Sequence, residues 1–434
     1  MQKIGIRFED KYLMERRVAL VPEHIKELTE KGVEIEVVRS QKRIFKDAEF
    51  EKAGAQLVDE VTDSNIVIGV KEMPIGYFKK DKTYIFFSHT IKGQSYNMPL
   101  LQDIIDSGAS LIDYEKIEDE QGRRLIFFGR FAGLAGMINS LWSLGQRWQK
   151  LGVDTPFLKL QQTHHYNSLE DAKEVVKEIG AFIQENGLPE NLSPLTIGIT
   201  GYGNVSKGAQ EILDLLPVTE ISPEELLTLK KSKDVSTKVI YKAVFKEGHL
   251  SKPIEASKKF ELQEYYDHPE LFESQFEKYI PHTTVLMNCM YWDDRYPRIV
   301  TKDYLKKLYT SGTPKLTVIG DVTCDPEGSI EALHKGTEIE DPVFVYNPFT
   351  QEATMGFDGE GLLIMGVDIL PSELPREASR TFSDALISFL PEIVNTDFNV
   401  SFNDLQLPSP VKRAMIVFKG KLTPDYEYLN EHLK

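Results

Sequence analysis

Residues 195–210 read LTIGITGYGNVSKGAQ. Residues 195–200 are mostly apolar and β-leaning, Gly201-Tyr202-Gly203 breaks the run, and 204–216 is helix-compatible. A strand, a tight Gly-x-Gly turn and a helix form the first unit of a dinucleotide-binding fold. The glycines let the backbone approach a pyrophosphate, and the helix N-terminus presents free N–H groups, here from Asn204 and Val205 onward. Ser206 stands where the usual G-x-G-x-x-G pattern has its third glycine, with Gly208 two residues later. A glycine turn that merely ends a strand is the competing reading of so short a motif; the flanking strand and helix weigh against it.

Upstream, strand-like segments at 3–8, 33–39, 65–70, 83–87 and 110–114 alternate with helix-like segments at 22–31, 47–53 and 98–107. The apolar stretch 131–151, rich in small residues, reads either as a helix connecting two domains or as a core helix of the first. Residues 168–185 form a helix, with Ser168 as N-cap and Gly187 as its stop. Downstream, 217–221 is the expected second strand of the nucleotide unit. Glu220 lies about 20 residues past the glycines, where an acid would hold a ribose 2′-hydroxyl. Ser222 at the strand tip would instead leave room for a 2′-phosphate. Residues 234–279 are polar and read as an insertion. Strands at 283–290 and 316–322 carry Asn288 and Asp321 near their ends, and the last long helix spans 375–389. The alternation predicts an α/β protein whose parallel sheets place their chemistry at strand carboxyl ends.

A chain of 434 residues suggests two or three domains. Its net charge of −16, with no basic run interleaved with aromatics, excludes nucleic acid as the expected partner. No apolar run approaches the ~20 residues that span a bilayer, so no membrane association is expected. The N-terminus, MQKIGIRFED, lacks a signal-peptide core, and Cys289 and Cys324 form no metal or redox motif. Together these lead to an expected cytoplasmic setting.

Lys71 follows the strand at 66–70. In a desolvated site its amine could act as a base, whereas on an open surface it is a solvated strand-end lysine. His89 ends the next strand in the equivalent position, as a proton shuttle or a structural histidine. Arg16-Arg17 and Arg123-Arg124 suit carboxylates, although arginine pairs are more often surface features. Glu115, at another strand end, either tunes a nearby cation or is solvated. His164-His165 lacks partners at ligand spacing, so no metal is expected there.

ERRVALVP (15–22), GVKEMP (69–74), FFSHTIKGQ (86–94), LIDYEKIEDEQGRR (111–124), FAGLAG (131–136), TGYGNVSKGAQ (200–210) and LPSELPREAS (370–379) occur in this order. Together they resemble the saccharopine dehydrogenase/lysine–2-oxoglutarate reductase family, within the alanine dehydrogenase and transhydrogenase superfamily, over nearly the whole chain. With NCMYW (288–292) and the long preceding insertion, the chain looks most like the lysine–2-oxoglutarate reductase domain of the bifunctional aminoadipic semialdehyde synthases. Those enzymes carry a second catalytic domain, so a chain of this length is expected to hold one of the two activities.

The resemblance implies two Rossmann-like domains with parallel sheets around a central cleft, linked by long helices. Residues 1–135 with 375–434 would form the substrate domain, and 136–374 the dinucleotide domain. It implies reversible reductive condensation of lysine and 2-oxoglutarate to saccharopine, with those three small molecules as partners. Lys71 stands at the family's base and His89 at its second acid–base group. Glu115 stands at the carboxylate that tunes them, and Arg17, Arg124 and Phe128 stand at substrate-pocket positions. Lys92 also matches a substrate-binding position. Gly201, Gly203, Asn204, Val205, Glu220 or Ser222, Asn288, Asp321 and Asp325 would serve the cofactor. NADP(H) is the expected cofactor, with NAD(H) as the alternative. An NAD-linked enzyme run toward lysine, a related amino-acid dehydrogenase, an inactive nucleotide sensor and a transhydrogenase-like subunit are the rival readings.

Overall fold

The computed structural model describes residues 3–229 and 235–433. Asp234, where the expected insertion begins, lies outside the described residues, as do positions 1, 2 and 434 of the expected domain ranges. In chain order the strands begin with β1 (Ile4–Ile6), β2 (Ile35–Val38), β3 (Gln56–Val58), β4 (Ile66–Ile68), β5 (Thr83–Phe86) and β6 (Ser110–Asp113). Next come β7 (Leu195–Thr200), β8 (Val218–Glu220), β9 (Ile240–Phe245), β10 (Ser251–Pro253), β11 (Phe272–Ser274) and β12 (Val285–Asn288). The last are β13 (Val318–Asp321), β14 (Val343–Tyr346), β15 (Ala353–Met355), β16 (Leu362–Met365), β17 (Met415–Phe418) and β18 (Lys421–Leu422).

The chain divides into two units, and unit 1 comprises residues up to Phe128 together with those from Pro375 onward. Its sheet runs β18-β17-β6-β5-β4-β1-β2-β3. The six strands from β1 to β6 pair in parallel, and β17 closes one side antiparallel to β6. β1, β4, β5 and β6 are buried along their whole length, as a parallel sheet covered on both faces requires. The helix Pro375–Leu386 returns to this unit and sinks Phe382 and Leu386 into its core. Two of its hydroxyls cap the segment after β1: Ser379 Oγ accepts from the Val18 amide (2.9 Å) and Ser383 Oγ from that of Val21 (3.1 Å). That contact explains why ERRVALVP and LPREAS, far apart in sequence, form one piece of structure.

Unit 2 spans residues 129–374, with sheet order β15-β14-β16-β13-β12-β7-β9-β8. Two features depart from the expected pattern. β14 and β15 form an antiparallel edge. β9, which falls inside the stretch read as an insertion, is a strand of the main sheet and lies between β7 and β8. The helix Gly129–Lys150 belongs to this unit and is buried along most of its length. It crosses the helix Asn204–Leu213 at backbone contact. A Cβ on Gly133 would sit 1.9 Å from the Val205 carbonyl oxygen, and one on Gly208 2.1 Å from that of Arg130. Gly208 therefore does the close-packing work of the missing third glycine. Ser206 is buried on the same helix, its Oγ accepting from Gln210 Nε2 at 3.1 Å.

Neither backbone carbonyl can move without unwinding a helix. Gly133→Val and Gly208→Val should each destabilise the protein by about 3 kcal/mol or more, read as a lowered urea midpoint or loss of folded protein.

Candidate functional site

In unit 1 the candidate side chains all leave the same edge of the sheet. β1, β4, β5 and β6 are parallel and in register, Ile6 opposite Ile68, Ile68 opposite Ile85 and Phe86 opposite Asp113. Glu9, Lys71 and His89 each follow the last residue of their strand by three positions, and Glu115 follows by two. Chain direction alone therefore brings them to one carboxyl-terminal edge.

His89 is held in an unusual backbone conformation, φ +53°, by its surroundings. Asn97 Nδ2 donates to its carbonyl oxygen (2.8 Å), and its ring stacks on Phe87 at 6.2 Å. Nδ1 lies 2.7 Å from Glu72 Oε1, and the same oxygen accepts from Lys11 Nζ at 2.7 Å. Burial opposes charge on Glu72, but His89 and Lys11 outweigh it and hold the carboxyl down to about 2. Among the described residues, the buried Glu72 Oε2 has no hydrogen-bond partner. Glu72, not Glu115, is thus the carboxylate in contact with His89. Sequence reasoning passed over it because a glutamate beside a lysine reads as an ordinary surface pair. Lys71 itself is half-buried, with Nζ 5.6 Å from the Tyr12 ring centre.

The arginines are present and already engaged. Arg17 is buried, donates to Glu15 through Nε (2.8 Å) and Nη2 (2.6 Å), and lies 4.2 Å from the ring centre of Phe128. Phe128 in turn stacks on Phe382 at 4.6 Å. Arg124 pairs with Glu115. Beneath them Asp113 is fully buried; it accepts from the Ser88 and Glu115 amides and from the Ser88 hydroxyl. Burial pushes its carboxyl up to about 6. Lys92 is exposed, three residues beyond His89.

Glu9 was not singled out in the sequence, yet it is a buried acid of this edge. Its Oε1 accepts from the Val70 amide (2.7 Å) and its Oε2 from that of Lys71 (2.9 Å). Burial and the nearby charge of Glu15 raise it to about 7, against the pull of those two amides and Arg7.

In unit 2 the glycine turn follows β7. Gly201 takes φ +80°, and a Cβ there would press on the backbone of Cys289 and Met290 at 3.2 Å. Gly203 differs, because a Cβ there would meet nothing within 4 Å. The protein alone therefore does not require glycine at this position. A group approaching the backbone at the start of the helix, at the amides of Asn204 and Val205, would require it. The turn lines a cavity of about 340 Å³, whose other walls are largely tyrosine: Tyr202, Tyr265, Tyr266, Tyr291 and Tyr296, with Glu247 among them. The residues present fit a dinucleotide. A larger cavity, about 540 Å³, opens beside Pro194, His282 and Lys315 at the amino ends of the same strands, away from the glycine turn.

Two expected cofactor residues are placed elsewhere. Glu220 ends β8, which β9 separates from β7, and its carboxylate pairs with Lys242 Nζ at 3.0 Å. Two strand spacings, about 10 Å, lie between it and the glycine strand. The Ser222 hydroxyl caps the helix Pro223–Thr228 by accepting from the Glu225 amide at 3.1 Å. Neither lines the cavity. Asn288 and Asp321 do meet, at the ends of adjacent strands. Asn288 Nδ2 donates to Asp321 Oδ1 (2.8 Å) and Ser329 Oγ (2.8 Å), and Thr200 Oγ1 donates to Asn288 Oδ1 (2.9 Å). Burial raises Asp321 to about 7. Asp325 lies four residues on, in the turn after β13, and its charge adds to that rise. His164 faces Glu373, whose carboxylate accepts from the His164 amide (3.1 Å) and from Asn139 Nδ2 (2.6 Å).

Residues 5–135 match the N-terminal domain of the alanine dehydrogenase/PNT family, and residues 254–425 match its C-terminal domain. The chain is 40% identical to the alpha-aminoadipic semialdehyde synthase of Arabidopsis thaliana, an alignment covering 98% of this chain and 41% of that protein. The chain thus spans less than half the length of this relative. It is 29% identical to the saccharopine dehydrogenase (NAD+, L-lysine-forming) of Yarrowia lipolytica, over 91% of this chain and 93% of that one. A solved L-alanine dehydrogenase shares the fold over all of both chains, with a TM-score of 0.63 at 18% identity.

Two outcomes are expected from this geometry. Gly203→Ala should leave the thermal midpoint essentially unchanged but weaken binding of a nicotinamide dinucleotide about tenfold or more, measured by fluorescence titration. Glu9, Asp113 and Asp321 are raised above their ordinary values, so their contribution to stability is present at low pH and lost as pH rises through about 6–7. Glu72 is lowered, so its contribution is lost as pH falls from its ordinary range toward about 2. The unfolding free energy from urea titration should therefore be higher at about pH 5 than at about pH 8, by about 2 kcal/mol or more, and fall again under acid conditions.

Proposed function

The chain belongs to the alanine dehydrogenase/PNT family, and from that premise we propose that it catalyses the reversible reductive condensation of lysine with 2-oxoglutarate to saccharopine. Unit 1 is the substrate domain in this reading and unit 2 the dinucleotide domain. The observation that carries it is the set at one strand edge of unit 1: the His89–Glu72 pair next to Lys71, with Arg17 and Arg124 on the same edge. Alignment of nearly the whole chain with the Arabidopsis synthase supports the same substrates.

The chemistry follows from elementary requirements. Imine formation needs a neutral amine, while the free lysine side chain has a pKa near ~10.4. Lys71 takes the proton from the incoming amine, releases it to solvent, and neutral again takes one from the carbinolamine nitrogen. Glu72 at Nδ1 orients the His89 ring, so that Nε2 exchanges the proton of the oxygen lost as water. Arg17 and Arg124 hold the carboxylates of the keto acid, sharing their forks with Glu15 and Glu115, which keep both guanidinium groups in place. Phe128 supports Arg17 from below through its ring face, and Lys92 guides the anionic substrate from the rim. When bound at the Gly201–Gly203 turn and the amides of Asn204 and Val205, the nicotinamide cofactor supplies the hydride that reduces the imine. Asn288 and Asp321 at the ends of β12 and β13, with Asp325 in the turn that follows, would serve its reactive half. The same reaction run toward lysine is the second reading, favoured by the end-to-end alignment with the Yarrowia enzyme.

Steady-state kinetics of two variants test the roles. Lys71→Met should lower kcat for reductive condensation about a hundredfold or more, with dinucleotide affinity unchanged. Arg124→Leu should raise KM for 2-oxoglutarate about tenfold, with a smaller effect on kcat. Unchanged turnover in Lys71→Met would remove the proposed base.

A further inference from the structure

In dinucleotide folds the acid that reads the ribose stands at the carboxyl end of the strand beside the glycine strand. Sequence order makes that strand β8, but spatial order makes it β9. Two residues past the end of β9, at Phe245, comes Glu247. Its Oε1 accepts from the hydroxyl of Tyr202, between the two glycines (3.2 Å), and from that of Tyr266, on the helix Leu262–Asp267 (2.9 Å). All three line the cavity that contains Gly201 and Gly203.

We propose that Glu247 reads the adenosine ribose of the cofactor through its 2′-hydroxyl, and that it selects NAD(H) over NADP(H). The inference rests on the dinucleotide-binding reading of the same turn. Two tyrosine hydroxyls on Oε1 fix the carboxylate and leave Oε2 to accept from the ribose. Burial and the Glu247 charge both raise the Tyr266 phenol, which keeps that hydroxyl a donor. A 2′-phosphate is a near-dianion with acceptors only. Against this wall it would face a carboxylate, and among the described residues lining the cavity none is lysine or arginine. The nearest cation in sequence, Lys246, points its Nζ toward the Tyr202 ring, 5.9 Å from the centre. The segment read as an insertion thereby acquires a role. It supplies β9, Glu247 and the helix that carries Tyr266, with Tyr266 as a positioning residue for the acid. Ser222, which with the family resemblance carried the NADP(H) expectation, spends its hydroxyl on a helix cap.

The test is fluorescence titration of the full chain with NADH and NADPH, for wild type, Glu247→Ser and Tyr266→Phe. Wild type should bind NADH about tenfold or more tighter than NADPH, and Glu247→Ser should shrink that ratio about tenfold by weakening NADH and strengthening NADPH. Tyr266→Phe should move the ratio in the same direction by a smaller factor. Displacement of NADH from wild type by 5′-ADP against 2′,5′-ADP gives the selectivity without any variant, should one fail to fold. Preference for NADPH in wild type, or an unchanged ratio in folded Glu247→Ser, overturns the proposal and leaves the dinucleotide site standing. Binding of neither nucleotide overturns that underlying reading as well.

Discussion

The unit 1 site depends on one buried carboxylate. Glu9 leaves the end of β1 and takes the Val70 and Lys71 amides, one on each oxygen, at the end of β4. Backbone amides that have left the sheet and are not exposed to water need an acceptor, and a carboxylate is the strongest available. With both amides held, the direction in which Lys71 and Glu72 leave the strand is set. Glu72 then sets His89, and the remaining acids and arginines pair around them. A carboxylate so buried gives up solvation, and its raised pKa records that cost.

Both units share one arrangement. Parallel strands deliver side chains to one edge, and the turns after the strands decide what is bound there. In unit 1 those turns carry charged side chains in pairs. In unit 2 the first turn carries glycines, and its value lies in what it leaves empty, since the space at Gly203 would admit a Cβ that a bound phosphate would not. The contact of the helices Gly129–Lys150 and Asn204–Leu213 through Gly133 and Gly208 fixes the start of that second helix. The amides of Asn204 and Val205 are held in place by it.

Much of this was legible in the sequence, because it depends on local pattern. Strands at 66–70 and 83–87, and hence Lys71 and His89 at their ends, follow from apolar runs and chain direction. The strand–turn–helix at 195–210 likewise needs no tertiary knowledge. What was not legible depends on spatial neighbours. Nothing in the order of residues 217–245 says that the later strand inserts between the earlier one and β7, so Glu220 looked like the ribose acid and Glu247 like part of a polar loop. Glu9 and Glu72 were not singled out, because burial by other elements leaves no mark on their own sequence. Glu115 was expected beside the Lys71–His89 pair and is found on Arg124, since the turn after β6 carries it toward residues 123–124.

The most direct measurement of the central claim is the rate of NADH or NADPH oxidation by the wild-type chain with lysine and 2-oxoglutarate supplied together and singly, with the product identified by mass. Oxidation is expected only when both are present, with saccharopine as product. Oxidation with 2-oxoglutarate and ammonia but not with lysine, or none in folded protein that binds the nucleotide, would contradict the substrate assignment.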